Sequence, residues 1–321
     1  MSNKTLLNKA DWALGDLASG GLLNPTQSNA FIRKLLIQPT LLSQVRRVVM
    51  PSPQVKINKI QFASRILKAG VQAGNKIVLD DTLNKERSKP TTEQIQLNSS
   101  EVIAEIRLPY DVIEDNIERG NIGSHQDVGG SPTSGGITDT LMTLIAERAA
   151  LDLEELAILG DTGDADPYLA LTDGYLTTLT SNIVDAGGAP ISRTILKNGM
   201  KTLPPQYRRN RAAMGHYLST ENEIDYRDTL ANRETALGDA QLQSTAPVWG
   251  AGAPVRGVGL MPGAQGFLTH PQNLIFGIQR KIHIESDKDI SAREYKIVLT
   301  ARVDFQVEEE EAAIKYINLA T

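Results

Sequence analysis

The segment EYKIVLTARVDFQV, residues 294–307, constrains this chain more than any other stretch. Tyr295, Ile297, Leu299, Ala301, Val303, Phe305 and Val307 alternate with mostly polar residues. A period of two puts those apolar side chains on one face of a strand. At about 3.3 Å per residue the strand would run about 43 Å, long against the usual five or six residues. A second long element precedes it. ITDTLMTLIAERAALDLEELAIL, residues 137–159, holds no Gly or Pro and predicts a helix of about 35 Å at about 1.5 Å per residue. Ile145, Ala149, Leu153 and Leu156 fall on one stripe. Arg148 and Asp152 sit four apart on another face, and Gly160 stops the helix. A long helix and a long strand in one chain predict an elongated α+β body. With aromatics at 5% of 321 residues, its core must be mostly aliphatic.

Charge is unevenly spread. Leu17 to Leu79 contains no Asp or Glu but holds Arg33, Lys34, Arg46, Arg47, Lys56, Lys59, Arg65, Lys68 and Lys76. The net charge is −5, so the remainder is acidic. Such asymmetry fits a partner of opposite sign, nucleic acid or the acidic part of another copy, and equally a solvated basic surface. Within this stretch, 24–48 reads as a short amphipathic helix, a break at Pro39 and a second apolar segment. MPSPQVKI reads as extended. KIVL (76–79) and SEVIAEIRL (100–108) read as two strands joined by a long polar loop, and loops of that length are usually functional or mobile. PYDVIEDNIERG reads as a short helix, and NIGSHQDVGGSPTSGG as a hinge. Further on, SRTILKNGMKTL predicts a helix closed by Pro204, AAMGHYL a strand, and STENEIDYRDTLANR a helix with Ser219 as its N-cap.

No motif assembles a catalytic centre. The histidines at 125, 216, 270 and 283 show no metal-binding spacing. Gly250-Ala-Gly252 fails as a dinucleotide fingerprint because Pro254 stands where a helix should begin. DTGDAD (161–166) resembles a calcium loop without its position-six glycine or position-twelve glutamate, and reads as a turn. The sequence has no cysteine, which excludes disulfides and thiolate chemistry and fits a reducing compartment. The first thirty residues show no signal-peptide pattern, and no run of about 18 apolar residues appears, so no membrane helix is expected. Glu308–Glu311 is the last candidate: a metal or acid/base cluster, or a turn. Adjacent side chains diverge on a helix or a strand, while acids favour the first turn of a helix. A helical turn folding the final strand back beside the long one is the simpler reading.

The order of these parts resembles the major capsid proteins of tailed bacteriophages with the HK97 fold. Its most specific pieces are LAILGD with TDGYL (156–161 and 172–176) and the closing segment Ala301–Ile317. The resemblance implies an N-terminal arm (1–70), an extended loop forming a β hairpin (71–110) and a peripheral domain (111–169 and 281–321) in which a spine helix, about 137–159, packs on long strands. An axial α/β domain (170–280) would meet its copies at five-fold and local six-fold axes. It implies a shell of hexamers and pentamers in the virion, assembled in the bacterial host cytoplasm and enclosing double-stranded DNA without sequence-specific binding. No cofactor, metal, membrane or enzymatic activity is expected. Arg46, Arg47, Lys85, Arg87, Lys89, Glu309 and Glu310 are the expected subunit-interface residues. No scaffolding-like prefix precedes Met1, so a separate scaffolding protein is expected alongside a portal. Lys85 and Lys89 lie in the loop, but no partner Asn is identifiable and no covalent cross-link is expected. A cellular nanocompartment shell of the same fold is the alternative, and a metal-dependent enzyme using Glu308–Glu311 a third.

Overall fold

A computed structural model describes residues 40–61, 66–67, 70–73, 76–79, 90–109, 137–231 and 247–320. The 14-residue alternation forms one strand, β13 (Glu294–Val307), within a sheet ordered β1 (Arg46–Val49), β12 (Leu274–Asp289), β13 and β6 (Ser100–Pro109). β12 and β13 are the arms of one antiparallel hairpin, and β1 runs parallel to β12. The predicted inner face is buried: Ile297, Leu299, Ala301, Val303, Phe305 and Val307 are each less than 9% exposed. Burying each large aliphatic or aromatic side chain of that row is worth about 1.5–3 kcal/mol. Phe305 lies directly across from Phe276, their rings stacked at 5.3 Å.

Helix α1 (Ile137–Leu159) has the predicted limits. Leu153, Leu156, Ala157 and Ile158 share one apolar cluster with Val303 and Phe305. Ile145 and Ala149, nearer the start of the same stripe, are half-buried. The Arg148–Asp152 pair forms at 2.8 Å. The glycines of LAILGD and TDGYL have one joint purpose. Gly174 N–H donates to the Gly160 carbonyl at 2.8 Å, and a Cβ on Gly160 would lie 2.3 Å from the Thr172 carbonyl oxygen. Two backbones touch there because neither carries a side chain. The contact delivers α2 (Tyr175–Thr178) to the sheet. Tyr175 then meets Phe305 edge-on at 5.9 Å and donates to the Ile275 carbonyl at 3.1 Å.

A second sheet is ordered β7 (Ile183–Asp185), β14 (Ile314–Ile317), β11 (Gly266–Thr269), β8 (Gly215–Ser219), β10 (Ala253–Val258) and β9 (Trp249–Gly250). Helices α3 (Arg193–Thr202) and α4 (Thr220–Ala231) cover it. Both begin at serine caps, of which Ser219 was expected: Ser192 Oγ accepts from Ile195 N–H, and Ser219 Oγ from Asn222 N–H. His216 crosses this sheet wholly buried. Its Nε2 lies 3.0 Å from the Gly250 carbonyl, which can only accept, so Nε2 carries the proton and Nδ1 accepts from Tyr316 OH at 3.1 Å.

Two pairings differ from expectation. KIVL, here β4 (Lys76–Leu79), pairs with β3 (Gly70–Ala73) and not with SEVIAEIRL, which is β6 and joins β13. The reason is burial: β6 lays Val102, Ala104 and Ile106 against Ala301, Leu299 and Ile297, an apolar match a four-residue strand cannot offer. The final strand β14 does not lie beside β13 either. It pairs with β11 and β7 in the second sheet, where Ile314 and Tyr316 are fully buried and Gly199 of α3 leaves room for the Tyr316 ring. The polar stretch 91–98, expected within the loop, is strand β5 (Thr91–Asn98), antiparallel to β2 (Gln54–Gln61). The N-terminal helix, His125, the short helix from Tyr110 and the glycine-rich hinge lie outside the described residues.

Gly160→Ala should destabilise the unassembled chain by at least about 1–3 kcal/mol through overpacking against backbone, measured as a drop in urea midpoint. Gly163→Ala, where the added carbon would meet only the Asp161 carboxylate at 3.3 Å, should change it little. Burial holds the His216 pKa down at about 4 from an ordinary 6.5. The unfolded chain therefore takes up this proton first. The stability is complete above pH 6.5 and falls by about 3 kcal/mol as pH drops toward 4. Urea titrations at pH 7, 5.5 and 4 should show a smaller acid loss for His216→Gln than for the unsubstituted chain.

Candidate assembly interface

The turn after β13 is built by Asn273. Its carbonyl accepts from Glu308 N–H at 2.9 Å, its Oδ1 from Glu309 N–H at 2.8 Å, and its Nδ2 donates to the Glu309 carbonyl at 2.8 Å. A 3₁₀ turn, Glu310–Ala312, follows. The four carboxylates then diverge. Glu308 pairs with Arg46 at 2.8 Å, and Glu309 with Lys59. Glu310 Oε1 accepts from Thr180 N–H, Thr180 Oγ and Ser181 N–H at 2.6–2.8 Å. Partial burial pushes the Glu310 carboxyl up, but those hydrogen bonds outweigh it and hold the group below its ordinary range. Glu311 is exposed. The tetraglutamate is thus a turn, and two of its acids neutralise the basic N-terminal stretch of their own chain.

Two buried carboxylates fasten that stretch and the strand paired with it, β5, to the body. Glu154 of α1, 1% exposed, accepts from Thr40 N–H and Leu41 N–H at 2.6–3.1 Å. Asp304 of β13 accepts from Asn98 N–H at 2.7 Å and from Thr172 Oγ at 2.9 Å. Burial pushes the Asp304 carboxyl up, against the pull of those donors. A small apolar cluster of Met50, Leu97 and Ile275 closes the same joint. Beyond it the β2–β5 ribbon, eight residues a side, spans about 26 Å. Lys59, the sixth residue of β2 and opposite Glu93 in the outer half of the ribbon, stands between Glu309 and Glu93, the latter at 3.5 Å. Farther out, Ile60, Ile66 and Leu67 are 68%, 56% and 84% exposed. At the other edge of the first sheet, Arg280 and Arg302 face each other across β12 and β13, and Glu101 of β6 neutralises both at 2.6 and 3.0 Å. The two guanidinium hydrogen bonds hold the Glu101 carboxyl below its ordinary range.

Of the expected interface residues, Arg46, Glu309 and Glu310 have partners within the chain. Arg47 is exposed on the opposite face of β1 from Arg46. Lys85, Arg87 and Lys89 lie outside the described residues. Sequence reasoning missed Lys59 as a bridge, and it missed Glu154 and Asp304, whose role depends on burial. It also missed a basic cleft of about 660 Å³ lined by Lys197, Lys201, Arg208, Arg209 and Arg211 around Met200, Pro205 and Ala251. Arg208 is fixed by the Leu203 and Lys201 carbonyls. The available signal was lysines four apart on a helix, followed closely by RRNR (208–211).

No protein-family model matches the sequence. A curated relative from Bacillus subtilis (strain 168), named "Putative prophage capsid protein YqbE", is 40% identical over 331 positions, covering 99% of each chain. Among solved structures, the capsid of a native GTA particle superposes with a TM-score of 0.65 at 14% identity, over 96% of this chain and all of that one. Microbacterium phage Oxtober96 gives a TM-score of 0.61 at 12% identity, over 96% of this chain and 99% of that one. The procapsid of satellite phage P4, which includes a size determination (Sid) protein, gives 0.58 at 12% identity over 87% and 86%. A full-length relative, a shared fold and the strand–turn–strand ending agree: the chain belongs to the major capsid proteins of tailed bacteriophages with the HK97 fold, and it is a structural subunit of the virion shell.

Proposed function

We propose that this chain assembles, as hexamers and pentamers, into an icosahedral head that encloses double-stranded DNA without reading its sequence. Assembly takes place in the host cytoplasm with a separate scaffolding protein and a portal, and the role is structural, not catalytic. The observation that carries the reading is the β2–β5 ribbon. A two-stranded ribbon is marginally stable alone in water, and this one exposes Ile60 beside the similarly exposed Ile66 and Leu67. The face that carries Ile60, opposite Lys59, needs a surface that its own chain does not supply, and the back of a neighbouring subunit supplies one.

The strand pairings support the following layout. The extended loop is the β2–β5 ribbon, running from 54 to 98. The peripheral domain is the first sheet with α1. The axial domain is the second sheet with α3 and α4, and it takes β14 from the end of the chain. The net charge of −5 fits a container that does not trap the genome it packs.

Replacing both Ile60 and Leu67 with Asp should leave the stability of the unassembled chain within about 0.5 kcal/mol while removing most particles from negative-stain images. A normal particle yield would show that the ribbon does not lie on a neighbour. Arg47→Glu should behave alike, folding normally and assembling poorly. Arg46→Glu should in addition lower the melting temperature, because it sets a carboxylate against Glu308.

A further inference from the structure

The cleft on the second sheet concentrates like charge in a concavity. Lys197 and Lys201 lie four apart on α3 and repel each other, and Arg209 and Arg211 approach from the 3₁₀ segment Tyr207–Ala213. All four are exposed, and none has a carboxylate partner among the described residues. The apolar centre between them is Met200, Pro205 and Ala251. Trp249, 56% exposed, lies two residues from Ala251.

Helix α4 carries the converse pattern. Glu221, Ile224 and Asp225 recur at three- and four-residue steps and are exposed, which places them on one ridge. Ile224 is 57% exposed at its centre. On the flank, Glu223 is already paired with Arg227 at 2.8 Å. The ridge is therefore an apolar residue ringed by carboxylates, and the cleft is an apolar floor ringed by cations. No ion pair among the described residues joins the two within one chain.

We infer that the basic cleft of one subunit receives the acidic α4 ridge of a second copy of this chain. The two surfaces differ, so the contact is head-to-tail, the kind that closes into a ring. This inference rests on the shell reading above and names the surfaces by which copies meet around an axis. Exposed Trp and Arg beside the cleft are residue types that anchor interfaces. Duplex DNA is the poorer occupant, since its line of phosphates offers no apolar group to the Met200, Pro205 and Ala251 floor, whereas the ridge offers Ile224.

The test is a charge exchange in the full chain. Lys197→Glu with Lys201→Glu should cut particle yield roughly tenfold or more, as loss of one interface anchor would. Glu221→Lys with Asp225→Lys should do the same, and all four together should restore particles. Restoration supports the pairing. A combined variant no better than its parents, or either parent assembling normally, overturns it. Particles of normal number but reduced DNA content would assign the cleft to phosphate and also overturn it. Unsubstituted chains in the same experiment test the shell reading separately, since their failure to form particles would count against that reading alone. As a second measurement, chains labelled with ¹⁴N and ¹⁵N are mixed, assembled and treated with a carbodiimide, which joins lysine to carboxylate without a spacer. Mixed-isotope peptides linking α3 to α4 are expected in the oligomeric fraction. Their absence there overturns the proposal even where a charge variant fails to fold.

Discussion

The buried inner row of the β12–β13 hairpin is the surface on which the rest of the chain is built. Val303, Phe305 and Val307 meet the end of α1 and the ring of Tyr175, and Ile297 to Ala301 receive β6. A two-stranded hairpin of this length cannot stand in water alone. It is stable because a helix covers one face, β1 and β6 extend its edges, and one apolar cluster continues from it to Tyr217, Val258 and Phe267 of the second sheet. The Gly160–Gly174 contact is the condition for that cover, because it lets the helix end come close enough to bring Tyr175 over Phe305.

Polar groups then decide how the N-terminal part is held. Glu154 and Asp304 are both nearly fully buried, and each is satisfied by backbone N–H and hydroxyl donors instead of a buried cation. A carboxylate bonded to N–H groups gains charge-assisted hydrogen bonds and avoids the second desolvation cost of a buried ion pair. It also fixes direction, since the N–H groups of Thr40, Leu41 and Asn98 are the ones these carboxylates draw in. The arm and the ribbon therefore leave the body at set points, whatever they meet farther out.

Much of this was legible before any coordinates. The alternation of 294–307 and the unbroken helical pattern of 137–159 carry their own periodicity, and Ser219 is a local signal of a helix start. What could not be read was partnership. KIVL and SEVIAEIRL are both good strands, and nothing local says that one pairs with GVQA and the other with the far end of the chain. IKYI looks ready to fold back on the strand before it, yet burying Ile314 and Tyr316 draws it into the other sheet. TTEQIQLN hid its strand behind polar residues because only Ile95 and Leu97 point inward. The tetraglutamate was legible as a turn, but its ionic partners were not, because Arg46 and Lys59 lie some 250 residues away.

Lys59 adds something that a rigid fastening would not. It stands between a carboxylate of the ribbon and a carboxylate of the body, and a Coulombic attraction declines gradually with distance where a hydrogen bond fails abruptly. The outer half of the ribbon is thus held to the body by a compliant link: it tolerates a range of positions, each at little cost, and it loosens as salt rises. A single sequence can then seat its ribbon against neighbouring surfaces of differing curvature, with the adjustment absorbed at one lysine instead of being built into the core.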